Sequence, residues 1–182
     1  MKKFGRSGAL EITGVEIATG DTLIIFLSDN GGATLTNASR NDPFRGTKSQ
    51  MLEGGIREPF LIQWKGHLPA GKVYEEPIIS LDILPTAMAA AGAEIKPEWK
   101  LDGVNLLPFL CGDKKGAPHE ALFWRYNAWT HKPEQDAWAI REGNWMLVRN
   151  GWARTPPALY NLSDDPEQRN DLSTAQPERV SK

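Results

Sequence analysis

Cysteine is almost absent from this sequence, which contains Cys111 alone among 182 residues. A single cysteine excludes a disulfide within the chain and also excludes a thiolate metal cluster. Gly112 and Asp113 follow it and favour a turn, so we interpret Cys111 as a small apolar residue at a turn.

Long apolar runs and basic clusters are also missing. The longest apolar run, around Leu23 to Leu27, is too short to span a membrane. The first residues, MKKFGRSG, lack the apolar stretch of a signal peptide, and the sequence leaves the cellular location open. The formal net charge is −2 and Lys and Arg are dispersed, which argues against a nucleic-acid partner. An apolar content of 40% with seven Trp predicts a folded globular chain.

Strand and helix patterns are mixed in the first part of the chain. Leu23 to Phe26 form a continuous β-rich run, which is typical of a strand buried on both faces of a parallel sheet. Phe60 to Trp64 predict a second strand, and residues 82–92 predict a helix with Asp82 as its N-cap and Gly92 at its end. This order favours an α/β fold, in which a partial parallel or mixed sheet carries flanking helices.

The second part of the chain reads as a small antiparallel sheet. Short aromatic-rich runs alternate with turn signals such as Gly143-Asn144 and Asn150-Gly151. We therefore predict an α/β segment over residues 1–117 and an antiparallel subdomain with a polar tail over 118–182. The predicted strands cover residues 121–126, 137–141, 145–149 and 158–162.

Two polar segments follow the first predicted strand, Asp29-Asn30-Gly31-Gly32 and then Arg45-Gly46-Thr47-Lys48. In open α/β sheets, ligands bind beyond the carboxyl ends of the strands, which is where Asp29 and Asn30 fall. Carboxylate and amide oxygens suit Ca²⁺ or Mg²⁺, and the ammonium of Lys48 can hold an oxygen of a sulfate or phosphate group. An ordinary turn and a solvated lysine fit the same residues, so this pattern alone leaves both interpretations open.

A third segment, Glu53-Gly54-Gly55-Ile56-Arg57-Glu58-Pro59, is rich in glycine and charge. Glycines allow the backbone of another segment to approach closely, and Glu53 can pair with Arg57. We interpret Glu53 and Arg57 as structural residues, and we assign the same kind of role to Asp82.

The order of these motifs resembles the carboxyl-terminal part of the sulfatases, which belong to the alkaline-phosphatase superfamily. The resemblance covers most of residues 21–175 and implies a metal-assisted hydrolysis of sulfate esters. It implies that Asp29 and Asn30 are metal ligands, usually for Ca²⁺, and that Lys48 is a catalytic and substrate-binding group that contacts the sulfate. The resembling segments are DNGG, RGTK, EGGIREP, SLDILPT at 80–86, LDGVNLLP at 101–108, the hairpin between Trp138 and Trp145, and LYNLSDDPEQRNDL at 159–172.

Other parts of the family pattern are missing. The family makes its formylglycine nucleophile from a C/S-x-P-x-R motif, which these 182 residues do not contain. The first acidic metal pair is also missing, and His67, His119 and His131 do not match the family's histidines, so we expect them at the surface or in turns. We therefore expect the nucleophile to lie outside this sequence, and we expect the chain alone to be inactive and to hold Ca²⁺ weakly or not at all.

Two alternatives stay open. A phosphate or phosphonate ester hydrolase of the same superfamily would use similar metal and lysine chemistry. A non-catalytic binding or oligomerising module would use the surface that a missing part would cover, and we expect self-association through exposed sheet edges. Complete sulfatases are often periplasmic, secreted or lysosomal, and the sequence does not reveal which sulfate ester is the substrate.

Overall fold

The computed structural model describes residues 22–127, 136–150 and 156–182. These residues form two compact units, one of residues 22–27 and Pro59–His119 and the other of Ser28–Glu58 and the described part of Glu120–Lys182. The strands are β1 (Leu23–Leu27), β2 (Phe60–Trp64), β3 (Ala121–Tyr126), β4 (Ala137–Glu142), β5 (Trp145–Arg149) and β6 (Ala158–Asn161). The α-helices are α1 (Glu53–Ile56), α2 (Ile83–Ala90), α3 (Leu107–Cys111) and α4 (Pro177–Ser181), and 3₁₀ turns lie at Ser80–Asp82 and Pro97–Trp99.

The first unit contains a two-stranded sheet, in which β1 pairs antiparallel with β2 and Ile25 lies opposite Ile62. The mixed α/β class is confirmed, but the expectation that β1 is buried on both faces is wrong. Its residues are half-buried or exposed, and Phe26 is 42% exposed. An apolar run reports the tendency to form a strand, whereas burial depends on the number of neighbouring layers, and β1 has one strand partner within the described residues.

The predicted helix is present as α2, but Asp82 does not cap it. The Asp82 carboxylate makes no hydrogen bond to the amides of α2. It accepts hydrogen bonds from the backbone N–H of Ile79 at 3.0 Å and of Val104 at 2.8 Å, and its side chain is completely buried. Asp82 therefore joins two chain segments that precede and follow α2. Gly92 closes the helix as predicted, with φ of +67°.

We predicted that the three histidines lie at the surface or in turns, and the structure differs among them. His119 is not a surface residue, because its side chain is 11% exposed and its Nε2 lies 2.8 Å from Oδ1 of Asp82. His67 is exposed, as predicted, and its ring stacks on Trp64 with 3.9 Å between centroids. His131 lies outside the described residues.

The second unit contains the predicted antiparallel meander, with strand order β3-β4-β5-β6. Burial alternates along β4 and β5, so one face of the sheet is covered and the other is partly open. Met51 and Leu52, which precede α1, pack in the same core as the covered face. The sheet residues of this core are Ala137, Ala139, Met146, Val148 and Tyr160, with Leu162 beyond β6.

Within the described part of the chain, no helix is both long and apolar enough to cross a lipid bilayer.

Candidate functional site

Gly32 joins the two polar segments that the sequence singled out. Its backbone carbonyl accepts hydrogen bonds from Thr47 Oγ1 at 2.8 Å and from the Lys48 amide at 3.2 Å. The Asn41 side chain fixes the same residue from the intervening loop, because its Oδ1 accepts from the Gly32 amide at 2.9 Å and its Nδ2 donates to the Gly32 carbonyl at 3.0 Å. The turn that carries Asp29 and Asn30 is therefore tied directly to the backbone that carries Lys48.

A local hydrogen bond also stabilises the turn that carries Asp29 and Asn30. The Ser28 hydroxyl donates to the backbone carbonyl of Asn30 at 2.9 Å, a local bond that is typical of serine in turns. Asp29 is exposed and Asn30 is half-buried. An exposed carboxylate beside a partly covered amide oxygen is available to a ligand.

Lys48 occupies the second position of a tight turn that spans residues 47–50. The Gln50 amide donates to the Thr47 carbonyl at 2.9 Å, and the Thr47 amide donates to Gln50 Oε1 at 3.1 Å. Ser49, at the third position, has a φ of +72°, which a type II turn requires there. Both ends of the turn are bonded to each other, so the exposed Lys48 side chain is presented from a well-defined backbone.

The carboxyl-terminal sheet anchors this loop. Arg45 Nη2 donates to the Tyr160 hydroxyl at 2.9 Å, and the Met51 amide donates to Asn150 Oδ1 at 3.0 Å. The Ser49 hydroxyl lies 3.4 Å from the Tyr126 hydroxyl. These contacts lie on both sides of Lys48, so the meander supports the loop as well as forming a core.

The glycines of the DNGG and EGG segments pack against each other. The Gly31 amide donates to the Gly55 carbonyl at 3.0 Å, and the Gly54 amide donates to the Arg45 carbonyl at 2.8 Å. A Cβ atom on Gly31 would lie 2.0 Å from the Gly54 carbonyl oxygen. Only glycine permits this approach, so the spacing of the two motifs has a steric cause.

Glu53 and Arg57 form the predicted pair, with Arg57 Nη1 donating to Glu53 Oε2 at 3.1 Å. Glu53 is 2% exposed, and a second cation, Arg141 Nη1, lies 4.0 Å from its Oε1. A buried carboxylate requires such partners because burial alone strongly disfavours the charged form.

Glu58 is a residue of this region whose environment the sequence does not reveal. Burial raises the pKa of its carboxyl group and the charge of Asp29 raises it further, while a hydrogen bond with Ser28 opposes them. Its Oε1 is buried and has no hydrogen-bond partner within the described residues. The Glu-Pro pair before β2 gave no sign of this, because an acidic residue before a strand is usually solvated.

The donor set fits part of a calcium site. Asp29 and Asn30 offer a carboxylate and an amide oxygen, whereas Ca²⁺ takes six to eight oxygen ligands. Among the residues that the structure describes, no group of three or more His, Cys, Asp or Glu side chains is arranged to hold a metal ion. Ca²⁺ binding by Asp29 and Asn30 and sulfate binding by Lys48 therefore stay predictions.

Comparison with known proteins identifies the family. Residues 46–181 match the family described as N-sulphoglucosamine sulphohydrolase, C-terminal. The chain is 32% identical over 190 residues to the uncharacterized sulfatase YdeN of Escherichia coli K12, and this alignment covers 88% of this chain and 33% of YdeN. It is 34% identical over 175 residues to arylsulfatase A of Bos taurus, and this alignment covers 84% of this chain and 34% of that enzyme.

A solved structure gives the same result. The chain resembles the crystal structure of Ps i-CgsB with a TM-score of 0.75 and 32% identity, over 87% of this chain and 34% of that one. The chain thus spans about one third of the length of the relatives it matches. On the family match over residues 46–181, the chain belongs to the sulfatase family, and the part it matches is carboxyl-terminal.

Proposed function

We propose that this chain provides the carboxyl-terminal part of a sulfatase active site, with Asp29 and Asn30 as ligands of Ca²⁺ and Lys48 as the group that contacts the sulfate ester. The observation that carries this proposal is the convergence at Gly32, whose carbonyl accepts both the Lys48 amide and the Thr47 hydroxyl. Gly32 lies two residues after Asn30, so the backbone links the two sets of predicted ligands.

The chemistry of these residues is electrostatic. Ca²⁺ would supply a positive charge that offsets the negative charge of a sulfate ester. The Asp29 carboxylate and the Asn30 amide oxygen hold the cation, and the Lys48 ammonium donates hydrogen bonds to a sulfate oxygen as a second positive charge. The defined turn at residues 47–50 limits the entropy lost when Lys48 engages the anion.

The nucleophile must come from outside these 182 residues, because the sequence contains no C/S-x-P-x-R motif. Without a nucleophile, no covalent sulfo-enzyme can form on this chain. The purified chain should therefore hydrolyse no aryl sulfate, with or without Ca²⁺. Metal-dependent turnover that persists after repeated purification would contradict this part of the proposal.

The substrate is a sulfate ester rather than a phosphate or phosphonate ester. The identity to arylsulfatase A of Bos taurus supports this choice, since the metal and lysine chemistry alone serves both kinds of anion.

A calcium titration followed by two-dimensional NMR tests the metal assignment at the level of residues. We expect Ca²⁺ to shift the side-chain amide of Asn30 and the backbone amide of Asp29. A dissociation constant near the weak end of protein calcium sites, about 1 mM, is expected from so few ligands. Asp29→Asn should abolish these shifts, whereas Asp113→Asn, which changes an exposed carboxylate outside the loop, should leave them unchanged. Shifts that persist in Asp29→Asn, or that spare Asn30, would overturn the assignment.

A further inference from the structure

We infer that Gln168 is a positioning residue for the Asp29–Asn30 turn and the Lys48 loop, acting through helix α1. This inference rests on the proposed function for the meaning of the site, but the contacts that carry it involve no metal or substrate. The sequence places Gln168 in the polar segment after β6, where nothing marks it as different from its charged neighbours.

Gln168 is completely buried, which is exceptional for a residue in such a polar segment. Its Oε1 accepts a hydrogen bond of 2.7 Å from the backbone amide of Glu53, and its Nε2 lies 3.5 Å from the sulfur of Met146. Glu53 is the first residue of α1, and no side chain at the preceding residue, Leu52, caps the helix. Gln168 therefore satisfies a helix amide that would otherwise be buried without a partner.

A hydrogen-bonded turn from Asp165 to Asn170 places Gln168 in the core. The Asp165 carboxylate accepts from the amides of Arg169 at 3.0 Å and Asn170 at 2.8 Å, and the Gln168 amide donates to the Asp165 carbonyl at 3.1 Å. Gln168 adopts a φ of +55°, a left-handed conformation that is unfavourable for a residue other than glycine. Such a conformation persists only where the surrounding contacts determine it, and the bond of 2.7 Å from the Glu53 amide is the shortest of the hydrogen bonds of Gln168 described above.

Helix α1 is hydrogen-bonded to the segment that follows Asn30 and to the segment that precedes Lys48. Its Gly55 carbonyl accepts the Gly31 amide at 3.0 Å, and its Gly54 amide donates to the Arg45 carbonyl at 2.8 Å. The Gly31–Gly54 contact leaves no space, since even a methyl group on Gly31 would overlap the Gly54 carbonyl. A displacement of α1 must therefore displace the segment that follows Asn30 and the segment that precedes Lys48.

Site-resolved amide hydrogen exchange, measured without metal or sulfate, tests this inference. Gln168→Ala should raise exchange at least tenfold at the Gly31 and Lys48 amides, both of which are hydrogen-bonded in this region. Gln168→Met keeps a neutral side chain of similar volume but removes the acceptor oxygen, so it should raise both rates as Gln168→Ala does.

The matched control is Thr86→Val, because Thr86 is also completely buried and its Oγ1 accepts a backbone amide, that of Leu106 at 3.0 Å, in the other unit. It should raise exchange at Leu106 and spare Gly31 and Lys48. The inference is overturned if Gln168→Ala or Gln168→Met leaves the Gly31 and Lys48 amides protected, or if Thr86→Val raises exchange at these two amides equally. Failure of the proposed function would be distinct, since it would appear as an absence of Ca²⁺ or sulfate binding with normal exchange behaviour.

Discussion

The Nε2 atom of His119 lies 2.8 Å from Oδ1 and 3.0 Å from Oδ2 of Asp82, whose carboxylate is completely buried. Together with the backbone bonds from Ile79 and Val104, this contact joins three segments of the first unit at one carboxylate. Removal of one donor to a buried acceptor usually costs about 1–3 kcal/mol. We therefore expect His119→Ala to lower the free energy of unfolding by that amount in a denaturant titration.

His67→Ala is the control for this first prediction. His67 is exposed and contacts Trp64 by stacking, so its loss should cost less than about 1 kcal/mol. Equal losses in the two variants would show that the Asp82–His119 contact does not stabilise the unit.

Gly31→Ala should damage the site by steric overlap. The new Cβ would lie 2.0 Å from the Gly54 carbonyl oxygen, and its three nearest neighbours are backbone atoms of Gly54 and Gly55, which cannot rotate away. We expect a loss of about 3 kcal/mol in unfolding free energy, the upper end of the overpacking range, together with loss of the calcium-dependent shift of Asn30. Gly116→Ala is the control, because Gly116 has a φ of +82° and open space around it. If Gly31→Ala costs no more than Gly116→Ala, the close approach of Gly31 to the Gly54 carbonyl does not limit this position.

The raised pKa of Glu58 predicts a pH-dependent effect. Burial is the main cause, and it makes the folded chain hold the carboxyl proton more tightly than the unfolded chain. The parent should therefore lose stability as the pH rises through the raised pKa, whereas Glu58→Gln cannot ionise and should not. The stability advantage of Glu58→Gln should grow between about pH 4 and about pH 7 in urea titrations.

Glu142→Gln is the control of opposite sign. The hydrogen bond and charge of Lys182 lower the pKa of the exposed Glu142 carboxyl. The parent gains from this pair only above the unfolded pKa, so Glu142→Gln should be the less stable protein at neutral pH and match the parent in acid. A Glu58→Gln difference that does not change with pH would contradict the predicted environment of Glu58.

Self-association of the chain alone is a further prediction. Phe26 on β1 is 42% exposed, and Leu81 and Leu84 around the start of α2 are each 53% exposed. Each strand of the β1–β2 sheet has one edge without a partner among the described residues. We expect the sedimentation coefficient to rise with concentration and Phe26→Ser to suppress the rise. Leu35→Ser is the control, because Leu35 is 87% exposed but lies in a loop outside both sheets. A parent that stays monomeric at every concentration would refute this prediction.

Local patterns in the sequence predicted the meander closely. The strands at Ala121–Tyr126 and Trp145–Arg149 have the predicted bounds, because alternation and turn signals are properties of neighbouring residues. The distant partners of Asp82, His119 and Gln168 could not be predicted, because only the folded chain brings these residues together.

In the candidate site, too, the local motifs could be predicted from the sequence, whereas the contacts between distant residues could not. The DNGG and RGTK segments are identifiable because their residue types suit a metal and an anion, and the structure joins them at Gly32. The partial exposure of β1 and the environment of Glu58 depend on contacts that no local pattern encodes.

The most direct test of the central claim is the affinity of the chain for inorganic sulfate, measured by NMR at the Lys48 side chain with and without Ca²⁺. If Ca²⁺ and sulfate bind at one site, Ca²⁺ should raise the affinity of the chain for sulfate about fivefold or more, which is the lower end of the range for coupled ligands. Asp29→Asn should remove the calcium effect and Lys48→Ala should remove sulfate binding, whereas Lys65→Ala, at another exposed lysine, should change neither. Sulfate affinity that is independent of Ca²⁺, or that survives Lys48→Ala, would contradict the claim that Asp29, Asn30 and Lys48 belong to one sulfate site.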